Sequence, residues 1–110
     1  MPTKNIISVN VQEPYLSLIL KGKKTVEGRL NKGKFLSIEA GDVLEIGGAK
    51  FKVTGTATYS SFLEMVTAEG VENVIPDKST PAEAAQVYYR FFTSDQERQF
   101  GVKAIRIVRT

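Results

Sequence analysis

Residues 13–29, EPYLSLILKGKKTVEGR, read as a short helix that stops at a glycine and hands a knot of charge to a strand. Pro14 suits a first helical position, Leu16, Ile19 and Leu20 recur at helical spacing, and Gly22 closes the end. Lys23 and Lys24 follow at once. Thr25, Glu27 and Arg29 then take alternate positions, which in a strand share one face. A single carboxylate among so many cations marks a site rather than a structural wall.

Working outward, residues 5–11 read as a first strand and 25–30 as a second, followed by a basic loop at 31–34. Gly41-Asp42 is a turn that opens a strand at 43–46, and Gly47-Gly48 is a two-residue hairpin signal. The partner strand is long, 49–59. Ser61 and Glu64 have the spacing of a capping box before an apolar helix that Gly70 ends. Residues 71–79 form a connector. Thr80-Pro81-Ala82-Glu83 starts another helix, expected to run to about residue 92. Residues 94–100 are polar and read as a loop, and 102–108 as the last strand. The expectation is an α+β fold, a small and mostly antiparallel β-barrel decorated by about three helices.

The chain of 110 residues, 42% apolar and 25% charged, has the composition of one soluble globular domain spanning 1–110. No apolar run is long enough to cross a membrane, and the first residues lack signal-peptide architecture, so a cytoplasmic location with no membrane partner is expected. There is no Cys and no His. That removes thiolate chemistry, a Ser-His triad, zinc-finger sites and the commonest transition-metal ligand, and no metal or cofactor is implied. The net charge of +3 is modest, but its distribution is uneven. Lys21, Lys23, Lys24, Arg29, Lys32 and Lys34 face only Glu27 in their stretch, whereas residues 64–97 are mainly acidic. Such a basic lobe favours phosphate-bearing partners; its alternative is a solvated lysine face.

PYLSLILKGKKTVEGR, the following AGDVLEI, and the closing YYRFF with GVKAIRIV together resemble the ASCH domain family, a small barrel of the PUA-like superfamily. The resemblance covers nearly the whole chain. Its hallmark G-x-K-x-x-E-x-R falls here on Gly22, Lys24, Glu27 and Arg29. It implies a cleft beside this element that binds RNA or a nucleotide-like small molecule, in RNA processing or translation-linked regulation. A branch that is similar, the bacterial acetylcytidine amidohydrolases, implies a hydrolase with a catalytic Lys, Thr and Glu. Lys24 matches that Lys and Glu72 the Glu. Glu27 stands where that branch has its Thr, and Thr25 lies two residues earlier. Other members are proposed to cut RNA, which does not require the Thr.

Two functions therefore stand open: an RNA- or nucleotide-binding domain, and a hydrolase of RNA or a modified nucleoside using Lys24 with Glu27 or Glu72. In the first, Arg29 offers its planar fork to phosphate, Glu27 accepts from a base or ribose, and Lys23, Thr25, Lys32 and Lys34 form the rim. Lys24 contacts phosphate or carbonyl, carries a proton, or simply pairs with Glu27. Tyr59, Tyr88, Tyr89, Phe91 and Phe92 either supply a stacking platform or fill the core; Tyr88 and Tyr89 cannot both face inward, leaving one to reach the cleft. A third reading is a protein-interaction domain using the acidic stretch. The oligomeric state is left open.

Overall fold

The computed structural model describes residues 5–110; residues 1–4, which begin both the stretch read for a leader and the 1–110 span, lie outside them. Five strands form one mixed sheet: β1 (Ile6–Ser8), β2 (Val26–Leu30), β3 (Val43–Ile46), β4 (Ala49–Tyr59) and β5 (Val102–Arg109). Their order across the sheet is β1-β3-β4-β5-β2. Only β1 with β3 is parallel; the other pairs are antiparallel. The sheet curls into a half-barrel. No backbone ladder joins its edges β1 and β2 among the described residues. Side chains span the gap instead: Arg29 donates to the carbonyl of Asn10, and Lys34 Nζ to that of Ser8 at 2.5 Å.

The tight β3–β4 hairpin forms because Gly47 and Gly48 both take positive φ, 58° and 81°, which the two-residue turn with the right twist requires. The register slips between Val53 and Gly55, and beyond it β4 pairs with β5 as far as Tyr59↔Val102. Both faces of β5 are covered. Val102 and Ala104 join Phe62, Met65, Val66, Ala84 and Tyr88 in one core. Ile105 and Ile107 join Leu44, Ile46, Phe51, Val53 and Ile19 in a second, inside the curl of the sheet. No helix among the described residues is long and apolar enough to cross a membrane.

Five α-helices, rather than about three, surround the sheet: α1 (Tyr15–Leu20), α2 (Phe62–Glu69), α3 (Val71–Val74), α4 (Pro81–Tyr88) and α5 (Ser94–Phe100). The expected connector at 71–79 contains the single turn α3, and the expected loop at 94–100 is α5. Thr93 and Gln96 form a capping box that starts α5. Its polar composition hid it because only Glu97 is buried, and that carboxylate accepts from the Phe62 backbone N–H (2.7 Å) and the Tyr89 hydroxyl (2.8 Å). The expected boundaries also shrink: the first strand covers only Ile6–Ser8, and α1 begins after Pro14, which caps rather than starts it.

Candidate functional site

Helix α1 ends in a way that fixes Lys24. Gly22 takes φ 78°, its N–H meets the carbonyl of Ile19 (3.0 Å), and the Lys23 N–H meets that of Leu18 (2.9 Å). This is the paired closure that a left-handed residue after a helix permits. The Lys24 N–H also bonds Leu18 O, at 3.1 Å, so the chain folds under the helix end and Lys24 points inward. It is only 2% exposed. Its Nζ donates to the carbonyl of Val26 (2.7 Å) and to that of Val74, lies 3.7 Å from Glu27 Oε1, and sits 5.8 Å from the centre of the Tyr15 ring. Burial pushes the Lys24 amine below the usual lysine range; the Glu27 carboxylate pulls it back up.

Glu27 is itself 4% exposed. Its Oε1 accepts the N–H of Gly28 (3.0 Å), and its Oε2 lies 3.4 Å from Arg29 Nη2. Arg29 runs outward over the ring of Phe35, 5.2 Å from its centre. The three hallmark side chains thus form one line from a buried ammonium through a buried carboxylate to a half-buried guanidinium. They line a single cavity of about 300 Å³ together with Asn10, Val11, Gln12, Tyr15, Gly28, Ile75, Val87, Tyr88, Phe91 and Phe92. The walls are largely aromatic and aliphatic, with a few convergent polar groups, the usual make-up of a small-molecule site. A second cavity of about 340 Å³ shares Arg29, Phe91 and Phe92 with the first and is flanked by Lys32, Lys34 and Phe35.

The remaining expected residues lie elsewhere. Lys23 is exposed and lines neither cavity. Thr25 lines a third recess, between α1 and β5. Tyr59 lines none of the three cavities; its hydroxyl donates to Glu69, which Arg106 clasps through two bonds of 2.8 Å. Glu72 is exposed in α3 and lines none of the three cavities. Among the expected aromatic cluster, Tyr88, Phe91 and Phe92 reach the first cavity, whereas Tyr89 bonds Glu97 and packs its ring edge-on to Phe62. Asn10, Gln12 and Tyr15 carry no motif and were not foreseen. Tyr15 faces the Asp77 carboxylate, and burial with that neighbour raises its phenol to about 12.

A curled five-stranded sheet with the G-x-K-x-x-E-x-R side chains in one cleft defines the class: residues 9–110 match the ASCH domain, and the chain belongs to that family. Among solved structures it is similar to hypothetical protein PH0355, with 41% identity, a TM-score of 0.90, and coverage of 96% of this chain and 99% of that one. It is also similar to protein PF0455 from Pyrococcus furiosus, solved by NMR in solution, with 40% identity, a TM-score of 0.79, and coverage of 94% and 96%. A serine-to-alanine mutant of ZmASCH from Zymomonas mobilis shares the fold at 12% identity and a TM-score of 0.57, over 98% of this chain and 70% of that one. No curated protein matches the sequence.

Proposed function

We propose that this ASCH domain binds RNA or a nucleotide-like ligand, with a base in the Lys24–Glu27–Arg29 cavity and phosphate beside Arg29, Lys32 and Lys34. The observation that carries the reading is the convergence of the three hallmark side chains on one aromatic-walled cavity that shares Arg29 with a lysine-flanked neighbour. The first cavity has the size of one nucleoside rather than a run of stacked bases. Arg29 keeps part of its fork exposed, at 21% of the side chain, and a guanidinium binds phosphate in directional pairs. The buried Glu27 rejects a phosphate from the inner end and accepts N–H or O–H groups there.

Hydrolysis is the second reading, favoured by one observation: Lys24, with its lowered pKa, and Glu27 meet in the same cavity. Against it stands the bonding of Lys24. Two backbone carbonyls accept from its Nζ and a carboxylate lies 3.7 Å away, surroundings that favour the ammonium, which has no lone pair with which to take a proton or attack. Glu72 is remote from the cavity. Binding is therefore the reading adopted.

The test is titration of short single-stranded RNAs and of nucleoside monophosphates into the wild type and into Arg29→Gln and Lys32→Glu/Lys34→Glu variants. RNA affinity should fall with rising salt by a logarithmic slope of roughly −0.7 per phosphate contact, and the double lysine variant should flatten that slope. A wild type that binds neither RNA nor any nucleotide at low salt refutes the proposal. Release of product from RNA or acetylcytidine, abolished by Lys24→Ala, would replace it with the hydrolase.

A further inference from the structure

The hydroxyl of Tyr88 is the one buried side-chain polar atom among the described residues that has no hydrogen-bond partner. Its setting is constrained on every side. The ring is clamped face to face on Phe62, 4.5 Å between centres and 6° between planes, and Phe62 is clamped in turn on Phe92. The stack sets where the hydroxyl points. The oxygen lies against Gly28, where a Cβ would sit 2.8 Å from it. The Gly28 N–H beside it is already donated to Glu27 Oε1 at 3.0 Å. Gly28, Glu27 and Tyr88 line the same cavity.

A buried hydroxyl without a partner costs roughly 1–3 kcal/mol, and buried polar groups in folded proteins are otherwise almost always paired. A phenylalanine would stack on Phe62 equally well and carry no such cost. The cavity wall thus holds a donor with nothing to donate to in the free protein; with less than 1 Å² of that oxygen open to solvent, a ligand reaches it only as the wall gives way. Next to it is a fixed acceptor, Glu27, whose two oxygens have lone pairs beyond those met by Gly28, Lys24 and Arg29.

We propose that Tyr88 and Glu27 read the hydrogen-bonding edge of the ligand's heterocycle, Tyr88 donating to a ring nitrogen or carbonyl oxygen and Glu27 accepting from the adjacent N–H. This rests on the nucleotide reading of the cavity and narrows it. The ligand class is a nucleobase whose edge carries a donor and an acceptor side by side, unmethylated. Tyr88 is the specificity-determining residue, and Gly28 is glycine because the Met65 methyl and the Tyr88 hydroxyl occupy the space of a side chain.

The experiment uses the full chain, wild type and Tyr88→Phe, with calorimetric titration of the four common nucleoside monophosphates. Each is paired with a counterpart methylated so that its N–H edge is lost, and ribose phosphate serves as the ligand without a base. Tyr88→Phe should leave the thermal midpoint of the free protein unchanged or higher, yet weaken the best nucleotide about tenfold, the cost of one hydrogen bond. Methylation should weaken wild-type binding similarly and change Tyr88→Phe less. If the wild type binds nucleotides but Tyr88→Phe binds them all equally well, and methylation makes no difference, edge reading is wrong while the nucleotide site survives. A large fall in the midpoint of Tyr88→Phe shows that the hydroxyl has a structural partner and overturns the proposal. A wild type that binds no nucleotide and no RNA removes both readings.

Discussion

Gly28→Ala is expected to destabilise the protein, and the sign of the effect is the informative part. Gly28 sits in β2 opposite Ala104 and does not have positive φ. Its backbone is one that alanine adopts freely, so on conformational grounds alone the substitution would stabilise by roughly 0.4–1 kcal/mol. Steric contact acts the other way. The new Cβ would lie 2.5 Å from Met65 Cε and 2.8 Å from the Tyr88 oxygen. The Met65 methyl is the end of a flexible chain but is fully buried, and the Tyr88 ring is held by its stack. Overpacking of this kind costs about 1–3 kcal/mol. The net expectation is a loss of about 1–2 kcal/mol, or about 4 °C in thermal midpoint per kcal/mol for a domain of this size. Calorimetry or urea unfolding with an unchanged m-value reads it directly. In the Tyr88→Phe background the same substitution should cost less, because the oxygen at 2.8 Å is gone and only the Met65 methyl and the ring Cζ at 3.1 Å remain. A Gly28→Ala protein as stable as the wild type, or more so, would refute the account of why this strand carries a glycine.

Lys24→Met keeps the volume of the side chain but leaves two buried carbonyls without a donor and Glu27 with Arg29 alone, 3.4 Å away, so a loss of about 3 kcal/mol is expected in urea unfolding; a change below about 1 kcal/mol would mean that the buried ion pair is dispensable. Glu97→Ala strips acceptors from the Phe62 N–H and the Tyr89 hydroxyl and should detach α5 from α2, at about 2–3 kcal/mol, with faster amide exchange confined to α5 if the assignment is right. Alkaline titration gives a further check. Tyr15 and Tyr89 are raised to about 12, mainly by burial, against about 10 in an unfolded chain, and Tyr59 and Tyr88 are raised as well. The folded protein holds these protons longer, so their contribution to stability is fully present below about pH 10 and is lost as pH rises towards about 12. Phenolate absorbance should lag that of the denatured protein; all four tyrosines ionising near pH 10 in the folded state would contradict the burial described.

Much of this architecture is written in local signals. The hairpin at Gly47-Gly48 and the capping box at Thr80 depend on neighbours in the chain and form as read, whereas at Ser61 only half of the expected box forms: Ser61 accepts from the Glu64 N–H, but the Glu64 carboxylate accepts from the Ser60 hydroxyl. The hallmark side chains Lys24, Glu27 and Arg29 also meet in one cavity, Glu27 and Arg29 through the two-residue period of β2 and Lys24 through the closure of α1. What stays hidden depends on distant partners. Helix α5 has one buried side chain, Glu97, whose burial is compensated by donors 8 and 35 positions away. Lys103 looks like a surface cation in sequence, yet it is buried and donates to the carbonyls of Phe35 (2.7 Å), Leu36 (3.1 Å) and Ile38 (2.6 Å). Between Tyr88 and Tyr89, helical spacing from Ala84 puts Tyr88 inside, but only the tertiary stack reveals that its hydroxyl is left over.

The pairing of β2 has a consequence for synthesis of the chain. This strand carries Glu27, Gly28 and Arg29, yet its only ladder partner among the described residues is β5, with Leu30 opposite Val102 and Val26 opposite Arg106. A strand emerging from the ribosome therefore waits for more than seventy further residues before it has a neighbour. Until then Glu27 and Arg29 lie on a chain without the ladder that carries them to the cavity. Pairings this distant in sequence are slow to close, so the hallmark element is among the first made and the last to acquire its shape. The Lys24–Glu27–Arg29 cavity is therefore complete only once β5 has been made.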